Sequence, residues 1–329
     1  MDAPTLKSHR FRGAREADWR RLERLLDRFE KGRSADLSDD DVVAIPVLYR
    51  SALSSLSAAR AVSLDQDLIA YLESLCTRAY FCVYGTRSTV PDRIVAFLTK
   101  DWSAAVRALW RETIVSAVLG VLGAAAAYLL VRADSAWFYA FMPAGLAGGR
   151  DPGASTQALR DSIFHPHGTE GLAFFSSFLF THNSEVSLLA FALGFAVCLP
   201  TAFLLFYNGL TLGALLAVYA AHGLGVDFMG WILIHGVTEL FAITLAGAAG
   251  LRIGWSLAFP GEDTRIEALK KAGRIAATAM VGVVVMLLCA GLLEGFARQL
   301  ITSTLVRYAV AAASGVFWLG YFYRPVRRP

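Results

Sequence analysis

The hydrophobic positions of this chain follow two different rhythms. Over residues 15–31, READWRRLERLLDRFEK, the apolar Trp19, Leu22, Leu25, Leu26 and Phe29 recur at helical spacing, with arginines and acids opposite. That pattern predicts a surface helix with one buried stripe. Ser38 with Asp41 predicts the capped start of a second helix, with Pro46 near its first turns and Tyr49, Leu53 and Leu56 on its apolar face. A third helix is expected over residues 65–85, with Leu68, Leu72, Leu75 and Tyr80 inward and Gly85 just past its end. Three such helices suffice for a small bundle.

After Pro91, the stretch DRIVAFLTKDWSAAVRALWRET sets Ile94, Phe97, Leu98, Trp102, Leu109 and Trp110 against Arg93, Lys100, Arg107 and Arg111. Apolar and aromatic residues opposite cations, directly before a long apolar run, predict a helix lying on the inner membrane face. A fourth bundle helix is the alternative.

From Thr113 the rhythm changes to runs long enough to cross a bilayer, which takes roughly 20 residues. The expected spans are 113–131, 186–207, 209–222, 228–251, 274–293 and 303–323. The third is short for a crossing, but the placement of charge requires it. Three basic regions must share one side: the N-terminal segment, the loop with Arg252, Arg265, Lys270, Lys271 and Arg274, and the tail with Arg324, Arg327 and Arg328. Four crossings between the first two satisfy that rule and three do not. The predicted fold class is therefore all-α, a polytopic membrane protein of about six transmembrane helices. Residues 1–112 form a cytoplasmic helical domain, 113–323 the membrane domain with an outer loop at 132–185, and 324–329 a basic cytoplasmic tail. In the outer loop, Trp137, Phe138, Tyr139 and Phe141 suit an interfacial belt, and AGGRDPGAS reads as irregular.

Composition agrees. Apolar residues make up 56% of the chain and the mean hydropathy is +0.49, above the roughly 45–50% apolar share of ordinary globular chains. The Arg-rich start lacks an apolar leader, so the N-terminus is expected to stay in the cytoplasm. Cys76, Cys82, Cys198 and Cys289 form no CxxC pair and read as small buried hydrophobes without a disulfide.

Ionisable and amide groups inside spans are costly, which makes them candidates for function. His235 and Glu239, one helical turn apart with Gly236 between them, project from the same face and could share a proton. Asn208 and Gly209 are expected at a hairpin between two spans. Asn183 and Glu185 read as the N-cap and first-turn acid of the second span, and Glu294 as a helix-end ion pair with Arg298. Gly250 and Gly254 have the spacing of close helix packing, within the chain or in a dimer. His235 and Glu239 resemble half of a zinc site, but HExxH is missing, and His222 or His182 would have to complete it. No phosphate-binding loop, GxSxG elbow or Cys/His cluster is present, and His165 and His167 read as loop residues. No enzyme activity, cofactor, metal or nucleic-acid partner is expected.

The stretches HNSEVSLLAFALG (182–194), FYNGLTLGAL (206–215), ILIHGVTELFAITLAGAAGLRIGWSLAFPG (232–261), RIEALKKAGR (265–274) and AGLLEGF (290–296) resemble the stage II sporulation protein M family of bacterial membrane proteins. LYRSALSSLSAAR and YLESLCTRAY look like the cytoplasmic helices of that family. The resemblance implies a non-enzymatic component of the bacterial inner membrane that serves as a homodimeric scaffold or assembly factor for cell-envelope partners such as peptidoglycan hydrolases. The alternative reading of the residues is a transporter or channel for an ion, small solute or lipid, with His235, Glu239 and Asn208 on a polar path.

Overall fold

Three helices open the chain: α1 (Lys7–Glu30), α2 (Asp39–Ala61) and α3 (Gln66–Tyr84). The computed structural model describes residues 7–30, 37–61, 66–84, 90–143, 147–164, 169–297 and 301–324; the regular elements there are all helical. They divide into two units, Met1–Arg93 and Ile94–Pro329.

In the first unit Trp19, Leu22, Leu25 and Leu26 of α1 meet Tyr49 and Leu56 of α2 and Leu68, Leu72 and Leu75 of α3 in one core. Ser38 caps α2 through the Asp41 amide at 3.2 Å, as its spacing implies. The apolar faces differ in detail: Leu53 and Tyr80 are exposed, and Ala52 and Ala79 take the inward places, because three helices at close range leave room for small residues at the crossings. Pro46 lies inside α2, two turns from its start. Arg78 joins α3 to α1 through Asp27 at 2.6 Å and Glu30 at 2.9 Å.

The segment expected to lie on the membrane breaks into α4 (Val90–Ala96), a π-helical turn (Phe97–Asp101) and α5 (Trp102–Ala108). From Ile94 it belongs to the second unit, not to the bundle. Trp102 is buried against Phe97, Trp318 and Phe322, and Arg107 donates to the Phe322 carbonyl at 2.7 Å.

The rest of the second unit is α6 (Trp110–Ala133), short α7 (Trp137–Phe141), α8 (Thr156–Phe164), α9 (Thr169–Ala192) with a 3₁₀ turn (Leu193–Ala196), α10 (Leu199–Ala221), α11 (Gly225–Ala258), α12 (Arg265–Leu292) with a π turn (Leu293–Ala297), and α13 (Thr304–Tyr323). Long α11 is the axle, packed by α6, α9, α10, α12 and α13. Among the described residues, α2, α6, α10, α11, α12 and α13 are long and apolar enough to cross a membrane. Helix α9 has 24 residues but carries His182, Asn183 and Glu185 in its second half, which lowers its hydropathy.

The boundaries between 169 and 222 correct the sequence reading. Asn208 and Gly209 make no hairpin; they lie in the middle of continuous α10. Asn183 and Glu185 start no helix; they lie within α9, whose first half occupies the end of the expected outer loop. The break falls instead at Val197 and Cys198, both at positive φ, 63° and 69°. Asn-Gly is a local turn signal, but here Gly209 serves packing. A Cβ on it would collide with the Gly120 carbonyl of α6, and one on Gly213 with that of Ala124. Gly194 and Gly250 bring the 3₁₀ turn and α11 together in the same way. Gly254 abuts Cys198, so the Gly250/Gly254 pair serves contacts within the chain. Gly85, His165, His167 and Arg298 lie outside the described residues.

Candidate functional site

Glu239 lies on the buried side of α11 and is 8% exposed. One turn earlier His235 is 4% exposed, and its Nε2 stands 3.7 Å from Glu239 Oε2. That distance is electrostatic contact rather than a hydrogen bond. The other carboxylate oxygen, Oε1, accepts a short hydrogen bond from Asn183 Nδ2 of α9. A carboxylate in apolar surroundings needs such donors to stay ionised. The fold brings the two residues together across 56 positions.

These groups border a cavity of about 130 Å³, room for several waters or a small solute. Asn208 and Thr211 of α10 line it, with His182 of α9 and Gly236 of α11; Leu212, Leu215, Trp231, Ile232, Leu240 and Ile243 form the apolar walls. Placing Asn208 in mid-helix is what aims it at Glu239's cavity. Gly209 faces α6 instead, and Glu294, though 2% exposed, is not among the lining residues.

One lining residue was not legible in the sequence. Arg150 comes from the Gly-rich loop before α8, which folds back over the helices so that its guanidinium reaches the cavity. Gly148 and Gly149 both take positive φ to make that turn. Arg150 Nε donates to the Ala147 carbonyl at 3.2 Å. Burial pulls the guanidinium pKa down, and a hydrogen bond with Tyr219 opposes that shift. Around it the loop is fastened: Ser162 Oγ meets Tyr219 OH at 2.7 Å, Thr156 Oγ1 meets His222 Nδ1 at 2.8 Å, and Arg307 Nη2 donates to the Ile163 carbonyl at 3.0 Å. His222 is thus part of this fastening and not of a ligand set with His235. Among the described residues no three His, Cys, Asp or Glu side chains group as a metal site.

A helical domain with five apolar crossing-length helices is that of a multi-pass α-helical membrane protein. Residues 113–297, more than half of the chain, match the family model of stage II sporulation protein M, and the chain belongs to that family. Residues 9–85, including the N-terminal stretches likened above to the same family, match a separate domain of unknown function, DUF8413. Neither curated proteins nor solved structures gave a match.

Proposed function

We propose that the membrane domain binds a small polar solute or ion beside Glu239 and conducts it across the bacterial inner membrane. The convergence of Arg150, Asn183, Asn208, His235 and Glu239 on one cavity supports this reading. Pinning two helices together needs one polar pair and no cavity, whereas here half-buried Arg150, Asn183 and Asn208 are gathered with buried His235 and Glu239 around a space that a solute could fill. With a carboxylate beside an imidazole and a guanidinium from the loop, the cavity suits a solute that both donates and accepts.

The proposed topology crosses with α6, α9, α10, α11, α12 and α13 and leaves both termini cytoplasmic. Four helices then separate the N-terminal segment from the basic 259–274 region, as the positive-inside rule requires. On this reading α2 stays in the bundle although its hydropathy suffices, because its apolar residues meet α1 and α3, and α9 crosses because Asn183 is satisfied inside the domain.

Flux of a panel of ions and small zwitterions into liposomes holding the full-length protein tests transport. The wild type should conduct at least one of them, and Glu239→Gln and Arg150→Gln should each slow it by roughly tenfold, as loss of a buried charged contact implies. No flux at any pH would sink the transport reading.

A second reading, a homodimeric scaffold for cell-envelope proteins, is favoured by family membership and by exposed Tyr80, Phe81 and Tyr84 at the end of α3. A pull-down from native membranes recovering no stable protein partner would count against it.

A further inference from the structure

At the end of the membrane domain where α6 and α10 begin and α11 finishes, a second cavity of about 680 Å³ opens between these three helices. Its walls are apolar, with Val115 and Leu119 of α6, Ala202 of α10 and Leu251 of α11. Its rim is not. Arg111 and Arg252 stand there with Glu112, flanked by Trp110 and Trp255, which are 48% and 60% exposed.

The rim is built rather than incidental. Arg252 Nε lies 3.0 Å from Glu112 Oε1, and its Nη2 donates a short hydrogen bond to the Ala108 carbonyl, which fixes the guanidinium between α11 and the start of α6. Arg111 is exposed and its guanidinium sits 5.2 Å from the Trp110 ring. Two cations and one anion leave the rim with a net positive charge. Glu112 Oε2 is buried, so this carboxylate is turned into the protein to hold Arg252, and the open side of the rim is left to the cations.

We propose that this cavity is a binding site for an anionic glycerophospholipid. Its phosphate would face Arg111 and Arg252, and its acyl chains the groove below Val115 and Leu119. Charge complementarity selects the anion, and the apolar walls select a lipid over a free ion. The tryptophans sit where amphipathic rings settle at a membrane interface. The site is separate from Glu239's cavity and independent of what that cavity conducts.

Native mass spectrometry of the full-length protein, delipidated in mild detergent and then given equal amounts of phosphatidylglycerol and phosphatidylcholine, reads the preference. Wild type should retain the anionic lipid in clear excess, and Arg111→Gln should cut that excess roughly fivefold, the worth of one arginine near an anionic headgroup. Arg252 is best removed with its partner, as Glu112→Gln with Arg252→Gln, so that no buried charge is stranded; this pair should also lower the excess. Because Arg111 is exposed, its variant keeps the wild-type fold, which an unchanged melting transition checks. Equal retention of the two lipids by wild type, or an Arg111→Gln protein as selective as wild type, overturns the proposal. Displacement of phosphatidylglycerol by inorganic phosphate alone would overturn it too, by marking a free-anion site.

Discussion

The Asn183 amide on α9 donates to the Glu239 carboxylate on α11, and through that bond a polar face of one helix is satisfied inside an apolar domain. His182 and Asn208 border the same cavity, so the bond belongs to a site as well as to the packing.

Removing either partner should therefore cost stability. Glu239→Ala and Asn183→Ala are each expected to lower unfolding free energy in detergent by roughly 1–3 kcal/mol, since each removes a part-buried hydrogen bond to a carboxylate. The double variant should cost less than the two singles summed, by a coupling of about 0.6 kcal/mol or more. Glu185→Ala, at an exposed position of α9, should stay within about 0.5 kcal/mol of wild type. Thermal or denaturant unfolding of the four proteins checks the pattern, and equal behaviour of the Glu239 and Glu185 variants contradicts it.

Two glycines of α6 should answer oppositely to the same change. A Cβ at Gly120 meets nothing within 4 Å, whereas one at Gly123 collides with the Phe206 carbonyl. Gly120→Ala should hold or raise stability, by up to about 1 kcal/mol from helix propensity. Gly123→Ala should destabilise by about 1–3 kcal/mol as α6 and α10 are pushed apart. A Gly123→Ala protein melting at or above wild type would show that this contact is looser than its geometry indicates.

Val197 offers the reverse case. Its φ of 63° is left-handed, at a cost of about 1–2 kcal/mol for a residue with a Cβ. Its side chain is 49% exposed, so little burial would be lost with it. Val197→Gly should stabilise the protein by about 0.5–1 kcal/mol, visible as a higher melting temperature, although glycine usually weakens a helical protein.

In the first unit, Tyr71 donates to Glu23 at 3.3 Å, and burial, helped by that carboxylate, pushes its phenol pKa up to about 12. The ordinary value is about 10. The folded state thus keeps a proton that the unfolded chain gives up first. Its stabilising contribution is full below pH of about 10 and is lost as pH rises toward 12. Tyr71→Phe should remove that part of the alkaline decline, as followed by far-ultraviolet circular dichroism across the window; an identical decline in both proteins would assign it to other groups.

Much of this was legible in the chain itself. The stripe Trp19, Leu22, Leu25 and Leu26, the Ser38 cap and the long apolar runs are local patterns, and local patterns set helix formation. His235 and Glu239 were visible as a pair because one turn of helix fixes their proximity. Asn208 and Asn183 carry local signals for helix ends, since Asn is at home in turns and caps, and those signals hide their places inside α10 and α9. Arg150 gave no signal, because a single arginine in a Gly-rich loop has the same appearance wherever the loop goes.

By itself, then, the sequence determined a helical bundle followed by a many-helix membrane domain. Only the tertiary structure decided where α9 ends and α10 begins. Gly209 and Gly213 are needed against the backbone of α6, and that contact with residues some 90 positions earlier outweighs the local preference of Asn-Gly for a turn. The same holds for the cavity. Its groups come from α9, α10, α11 and a returning loop, and no periodicity along one segment records which side chains the others will bring to meet it.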